Sequence, residues 1–393
     1  MRITDVQVHP VQAPGRTLVI VTVHTDEGVV GVGEAGLQRR WRAIQGAVEH
    51  MKRWLVGEDP FRIERLWQRM WRGGFYPGDR LIGSTTAGID IALWDIKGKT
   101  LGVPVYELLG GRCRDYVEAF TNPGYLTDDA QDREILAGIA SAADPDATAE
   151  MARRHRARGH KYFRLGIPAQ DDRFDARWSV RRCLAQFRAV RDAVGDDLEL
   201  MVDLHTRLSP DEAIWFCNQA ESLSMFVVED PIRSEYPGGY GRIRSQTRVP
   251  LAAGEQWASK WEFREPIENE WIDYARVDIC IAGGISEARK IAAIAETHYV
   301  KMLPHNPLGP ICTAASLHLD LAIDNAGPQE VLFPPDILPE VLRCDFRLEP
   351  GRLTVPTTPG LGVTFDADRA KELAAEMTEP PHFHRPDGSF TNY

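Results

Sequence analysis

Residues 3–12 and 17–25 alternate apolar and polar side chains, and Thr25-Asp-Glu-Gly makes a turn into Val29-Val-Gly-Val-Gly-Glu34. This pattern predicts a three-stranded antiparallel meander. The period then lengthens to that of a helix over 41–55, 61–71 and 84–101, the last stopped by Gly102 and Pro104. Strands and helices in separate runs predict an α+β domain over residues 1–115. Beyond it, short apolar runs bounded by turn residues predict strands at 116–121, 161–166, 198–205, 225–229, 250–255, 274–279, 299–304 and 329–332. Helical stretches such as 210–221 and 285–297 lie between them. The longer connection over 122–147 leaves room for a lid or a short helix. After the eighth strand come a β-like stretch (348–365), a helix (368–377) and a tail rich in Pro and His.

Most of these later strands end on a polar residue. Asp203, Glu229, Glu255, Asp278, His305 and Glu330 follow one another at intervals of 26, 26, 23, 27 and 25 residues. A strand, a helix and two short loops occupy about 25–30 residues, so the interval is that of repeated βα units. The predicted fold class is therefore α/β: a modified (β/α) barrel over 116–345, with the N-terminal α+β domain capping it. A C-terminal segment, 346–393, is expected to return to the capping domain. In a βα barrel the strand ends converge on one mouth. Three carboxylates there, with no cation among the strand-end residues, call for a divalent metal. Strand parity puts Asp203 on one face with His205, Met201 and Glu199. It also turns Arg276 inward with Asp278 and Lys301 inward with His305, which predicts a buried network of Glu199, Arg276 and Lys301 below the metal.

Composition narrows the function. The chain has 393 residues, 43% hydrophobic and 26% charged, enough for a large core. A net charge of −11 without a polybasic run argues against nucleic acid and anionic membranes as partners. Cys113, Cys183, Cys217, Cys280, Cys312 and Cys344 show no C-x-x-C pairing, which predicts free buried thiols in a reducing compartment. Neither a signal sequence nor a long apolar run is present, so a cytoplasmic location is expected.

Asp203, Glu229 and Glu255 make an all-oxygen donor set suited to Mg²⁺. Any one of them could merely cap a helix N-terminus; the even period singles them out together. His305 sits in a loop stiffened by Pro304, Pro307 and Pro310, and Asp278 can orient its ring, which suits a general base. His205, two residues past a metal ligand, suits a proton donor, and in a closed barrel of eight it would stand across the metal from His305.

Taken with Gly31-Val-Gly-Glu34, Ala92-Leu-Trp-Asp-Ile-Lys97 and Thr358-Pro-Gly-Leu-Gly362, further motifs cover nearly the whole chain. These are Asp203-x-His, Val228-Glu-Asp-Pro231, Ala253-Gly-Glu255, Asp278 with Ala282-Gly-Gly284, and Pro304-His-Asn-Pro-Leu-Gly-Pro310. Together they resemble the enolase superfamily, mandelate racemase subgroup, and within it sugar-acid dehydratases of the galactonate dehydratase type. The resemblance implies Mg²⁺ on Asp203, Glu229 and Glu255 and α-proton abstraction from a carboxylate substrate. It also implies the His305–Asp278 pair as base, His205 as acid and Glu330 beside the enolate oxygen. Relatives with a base on the second barrel strand carry Lys-x-Lys there, whereas this chain has Arg164-Leu-Gly166, so the chemistry leans on His305. A mannonate dehydratase-like arrangement pairs such an Arg with a nearby Tyr, and residues 165–178 contain none. Gln256 stands where an Arg is frequent in galactonate dehydratases.

Arg164, Asn306 and Tyr76 are the candidates for substrate contact. Tyr76 lies in the Gly-rich stretch 73–83, which could fold over the mouth. His382 and His384 are expected to belong to a frayed or docking tail rather than a metal site. The expected reaction is removal of water from an aldonate such as galactonate or gluconate, giving a 2-keto-3-deoxy acid. The alternatives are a racemase or epimerase of a 2-hydroxy acid, and a catalytically weak regulatory member of the same fold. The expected partners are a small carboxylate substrate and further copies of the chain.

Overall fold

Strands β1 (Ile3–Ala13), β2 (Arg16–Thr25) and β3 (Val30–Ala35) are followed by helices α1 (Trp41–Leu55), α2 (Ile63–Arg72), α3 (Arg80–Leu101) and α4 (Val105–Leu108). The chain continues through β4 (Val117–Phe120), α5 (Ala130–Ala142), α6 (Pro145–Ala157), β5 (Tyr162–Gly166), α7 (Ala176–Val194) and β6 (Glu199–Asp203). Next come α8 (Pro210–Ala220), β7 (Met225–Glu229), α9 (Gly238–Arg244), β8 (Leu251–Ala253), α10 (Lys260–Glu268) and β9 (Tyr274–Ala275). Then follow α11 (Ile285–Glu296), β10 (Lys301–Met302), α12 (Pro310–Ala322), β11 (Gln329–Glu330) and β12 (Leu342–Cys344). The chain closes with β13 (Leu348–Glu349), β14 (Arg352–Leu353), β15 (Val363–Phe365), α13 (Ala367–Glu372), β16 (Phe383–His384) and β17 (Phe390–Thr391). This computed structural model describes residues 1–123, 127–170, 172–379 and 382–391. They fall into two units: Met1–Ala119, Glu255–Arg264 and Val277–Glu379 form the first, and Phe120–Gly254, Glu265–Arg276 and Pro380–Tyr393 the second.

In the first unit β1, β2 and β3 form the antiparallel meander. Helix α1 buries Ile44, Val48, Met51 and Leu55, one helical face, against it. Helix α3 lies on β3 because both glycines of Gly31-Val-Gly33 lack a side chain. A Cβ on Gly33 would stand 1.9 Å from the Gly88 carbonyl oxygen, and one on Gly31 would stand 2.0 Å from that of Ala92. Helix α3 begins at Arg80 rather than at 84, because Asp79 caps it by accepting from the Ile82 N–H at 3.0 Å. The loop before it is therefore 73–79, shorter than expected, and Gly83 is helical. Gly102, at φ 71°, ends the helix in the left-handed region. The last helix is shorter than 368–377, and the segment after it returns to β1: Gln12 N–H donates to Leu373 O, and Ala375 N–H to Pro10 O.

In the second unit β5 to β9 pair in parallel, each with the next. The register sets Gly166 beside Asp203, and Asp203 beside Glu229. The connection after β4 carries two helices, α5 and α6, each capped by an Asp, Asp129 and Asp144. A lid in that connection would include residues 124–126, which lie outside the described residues. Among the described residues no helix is long and apolar enough to cross a membrane. All six cysteines are free; Cys113 is exposed and Cys344 half-buried, so the expectation of burial holds for the other four.

Candidate active site

Asp203 and Glu229 end neighbouring strands of the second unit, and both are buried. Arg164, two residues before the end of β5 and buried as well, reaches across them. Its Nη2 donates to Asp203 Oδ2 at 2.9 Å, its Nε donates to Glu229 Oε1, and its Nη1 donates to Asn122 Oδ1 at 3.0 Å. From just past β9, Arg276 puts Nε 2.8 Å from Glu229 Oε2 and is fully buried. No cation stands among the strand-end residues, but two from other positions meet these acids. Arg164 shares the inward face of β5 with Gly166, directly beside Asp203, and Arg276 arrives beyond a strand of only two residues.

The chain turns sharply after Asp203. His205 and Thr206 have φ of 50° and 58°, so His205 leaves the strand and folds back. Its backbone N–H donates to Asp203 Oδ1 at 2.7 Å, and its Nδ1 lies 3.2 Å from Oδ2. Burial alone would push the Asp203 carboxyl up; Arg164, His205 and Arg276 outweigh it and hold the group well below the usual carboxylate range.

In the first unit His305 stands between two carboxylates. Nδ1 lies 2.9 Å from Asp278 Oδ2, and Nε2 lies 3.3 Å from Glu255 Oε2. Asp278 is itself fixed by the Cys280 N–H, which donates to Oδ1 at 2.8 Å. Because Asp278 only accepts, Nδ1 carries the donated proton and Nε2 is the nitrogen left to exchange one. Burial disfavours the charged ring, yet Glu255, Asp278 and Glu330 together raise its pKa above the ordinary histidine value. Glu330 Oε2 accepts from the Asn306 N–H at 3.1 Å. Asn306 is buried and holds the 304–310 loop: Nδ2 donates to Thr313 Oγ1 at 2.7 Å and Oδ1 accepts from the Leu308 N–H at 3.3 Å.

The predicted network of Glu199, Arg276 and Lys301 is not buried as expected. Arg276 is buried, but Glu199 is half-buried and Lys301 exposed. Each opens its strand, and at that end solvent relieves the cost of burying an unpaired charge. Tyr76 is 82% exposed and Phe75 94%, packed edge to face on each other with centroids 5.2 Å apart. Two residues take roles that the sequence had not assigned them. Asn122 closes the run after β4, at the position where the later strands carry their acids. Glu34, fully buried, accepts from the Gly309 N–H at 2.8 Å and the Cys312 N–H at 3.0 Å, capping the α12 N-terminus behind His305's loop. A lone charge closing an apolar strand, and a Gly-Pro helix start without an acceptor, were the available signals.

The donors suit a hard divalent cation. One guanidinium bridges Asp203 and Glu229, so a single cationic centre can reach an oxygen of each; Glu255, in the first unit, carries a carboxylate of the same chemistry.

Comparison with known proteins identifies the family. Residues 3–110 match the family model for the mandelate racemase/muconate lactonizing enzyme N-terminal domain, and residues 146–369 match the enolase C-terminal domain-like model. The chain is 36% identical over 382 residues to a D-galactonate dehydratase of Ralstonia nicotianae, covering 94% of this chain and 95% of that protein. It is 33% identical over 411 residues to the D-galactonate dehydratase family member RspA of Halomonas elongata, covering 98% of each. Among solved structures, an enolase from Pantoea ananatis with bound D-gluconate and Mg superposes with a TM-score of 0.90 at 30% identity, covering 100% of this chain and 99% of that one.

Proposed function

Since the chain belongs to the mandelate racemase/muconate lactonizing enzyme family of the enolase superfamily, with its N-terminal α+β domain and C-terminal (β/α) barrel, we propose that it dehydrates a sugar acid to a 2-keto-3-deoxy acid. The observation that carries this reading is His305. Its ring is anchored through Nδ1 by Asp278 at 2.9 Å, while Nε2 remains for proton exchange. The D-galactonate dehydratases among its relatives and the D-gluconate bound to the Pantoea ananatis enolase support an aldonate as substrate.

Asp203, Glu229 and Glu255 are the proposed ligands of Mg²⁺. When bound, the ion would screen the charge that grows on the substrate carboxylate as C2 loses its proton. His305 accepts that proton at Nε2, and Asp278 steadies the imidazolium that results. His205 protonates the departing C3 hydroxyl, and Asp203 orients its ring by holding Nδ1. Glu330 lies beside the enolate oxygen, and Arg164 and Tyr76 contact the substrate. Incubating the chain and Mg²⁺ with a panel of aldonates and aldarates tests the reading. Keto-acid formation with C2 deuterium exchange is the expected result. Exchange without keto acid points to a racemase, and silence across the panel removes the proposal.

A further inference from the structure

A cavity of about 600 Å³ lies in the first unit, lined by the start of α2, the C-terminal half of α3 and α11. Its lining is cationic in a chain whose net charge is −11. Arg65 from α2, Lys97 from α3 and Arg289 from α11 line it, the two arginines exposed and the lysine half-buried, and among the described residues none of the three is ion-paired with a carboxylate. The other two cations already have partners: Arg62 lies 3.7 Å from Asp59, and Lys290 lies 2.7 Å from Glu64, the one acid in the lining. Three cations from three helices around one recess repel one another, and a bound anion would relieve that repulsion.

Two further features define what the recess would take. Helix α2, ten residues long, begins here with no side-chain cap, and the acid of its first turn, Glu64, is paired with Lys290, so the positive end of the helix favours an anion. One wall is aromatic: Phe61 and Trp94 flank the Lys97 ammonium, at 5.7 and 5.8 Å from the ring centroids, and Trp94 is pinned by its Nε1–H donating to Ser286 Oγ at 2.9 Å. An inorganic ion would satisfy the cations but leave that wall wet. A flat ring carried on the anion would cover it, and the volume is in the range of small-ligand sites.

We propose that this cavity is a binding site for a phosphorylated aromatic anion of nucleoside-monophosphate size, its phosphate on Arg65, Arg289 and the α2 N-terminus and its ring against Phe61 and Trp94. The residues are separate from those assigned to dehydration, so the site can be tested whether or not that assignment stands. Isothermal titration of the full chain with adenosine 5′-monophosphate, tripolyphosphate and adenosine reads it directly. The monophosphate should bind, and Arg65→Ala with Arg289→Ala should weaken it about tenfold or more, one lost charge contact being worth about that much. Trp94→Leu should weaken the monophosphate and leave tripolyphosphate unchanged. No heat with the monophosphate at millimolar concentration overturns the proposal, as does equal binding by the double-alanine variant. Tripolyphosphate binding alone, insensitive to Trp94→Leu, would reduce the site to a plain anion patch. Dissociation of an oligomer by Arg65→Glu with Arg289→Glu would assign the recess to a second copy of the chain instead.

Discussion

Asp278 holds His305 by its Nδ1 at 2.9 Å and is held in turn by the Cys280 N–H at 2.8 Å. The imidazole therefore has a fixed tautomer and a fixed plane. If His305 is the base, His305→Asn should abolish both C2 deuterium exchange and keto-acid formation. Asp278→Asn leaves the ring present but turned, and should cost less, within the roughly 10²–10⁴-fold range of acid–base contributions. His205→Asn should reduce keto acid more than exchange. Full exchange surviving in His305→Asn, followed by NMR in D₂O, would move the base elsewhere.

The guanidinium of Arg164 occupies the oxygens that Mg²⁺ is proposed to use. Arg164→Gln removes a positive charge from beside Asp203 and Glu229, so calorimetry should show Mg²⁺ bound several-fold more tightly, even where turnover falls. Weaker binding would mean that Arg164 positions the carboxylates for the metal rather than competing with it.

Asp203→Asn, Glu229→Gln and Glu255→Gln each delete one anionic donor, and each should weaken Mg²⁺ about tenfold or more while circular dichroism stays native. The first two also leave Arg164 or Arg276 short of a counter-charge, so those variants should be less stable than Glu255→Gln. Mg²⁺ bound by all three variants as tightly as by the wild type would dismiss the ligand set.

Much of this was legible because its cause is local. The strand at 225–229, read from an apolar run between turns, and the helix at 41–55, read from its period, have the expected bounds. The 26-residue beat picked out Asp203 and Glu229, which the register places side by side. What escaped reading depends on cross-strand neighbours. That Arg164 meets Glu229 follows from two strand pairings and from a side chain long enough to cross one of them. No one-strand pattern contains this. The misplacement of Lys301 has the same origin: parity gives a face, but depth along the barrel axis decides whether that face is dry.

The approach of α3 to β3 can be tested by filling it. Gly33→Ala would drive a Cβ to 1.9 Å from a backbone carbonyl oxygen, where no side chain can yield. Gly46→Ala, on the exposed side of α1 with nothing within 4 Å, is the control. The first should lose about 3 kcal/mol or more in urea unfolding, and the second should be neutral or slightly stabilised. Similar midpoints for both would show that β3 and α3 separate easily.

Asp90 supplies a pH dependence whose sign is fixed. It is fully buried on α3, accepting from the Ser286 N–H at 3.0 Å and the Ser286 hydroxyl at 2.6 Å. Desolvation outweighs these bonds and lifts its pKa from 3.8 to about 7. Between those values the folded chain keeps a proton that the unfolded chain has released, so the stability Asp90 contributes is present below pH 4 and is lost as pH rises to 7. Three pKa units correspond to roughly 4 kcal/mol. Glu34 is raised to about 7 by the same cause, while His9, His155 and His318 are depressed by burial and tilt the curve the other way. Only a difference isolates Asp90. Asn at this position keeps an acceptor for the Ser286 N–H and cannot ionise. The stability of wild type minus that of Asp90→Asn should therefore fall steadily from pH 4 to pH 7 and be flat above it. Urea unfolding at half-unit pH steps measures it. A difference that is flat from pH 4 upward would show that Asp90 ionises freely in the folded chain, and that its pair of bonds from Ser286 outweighs burial.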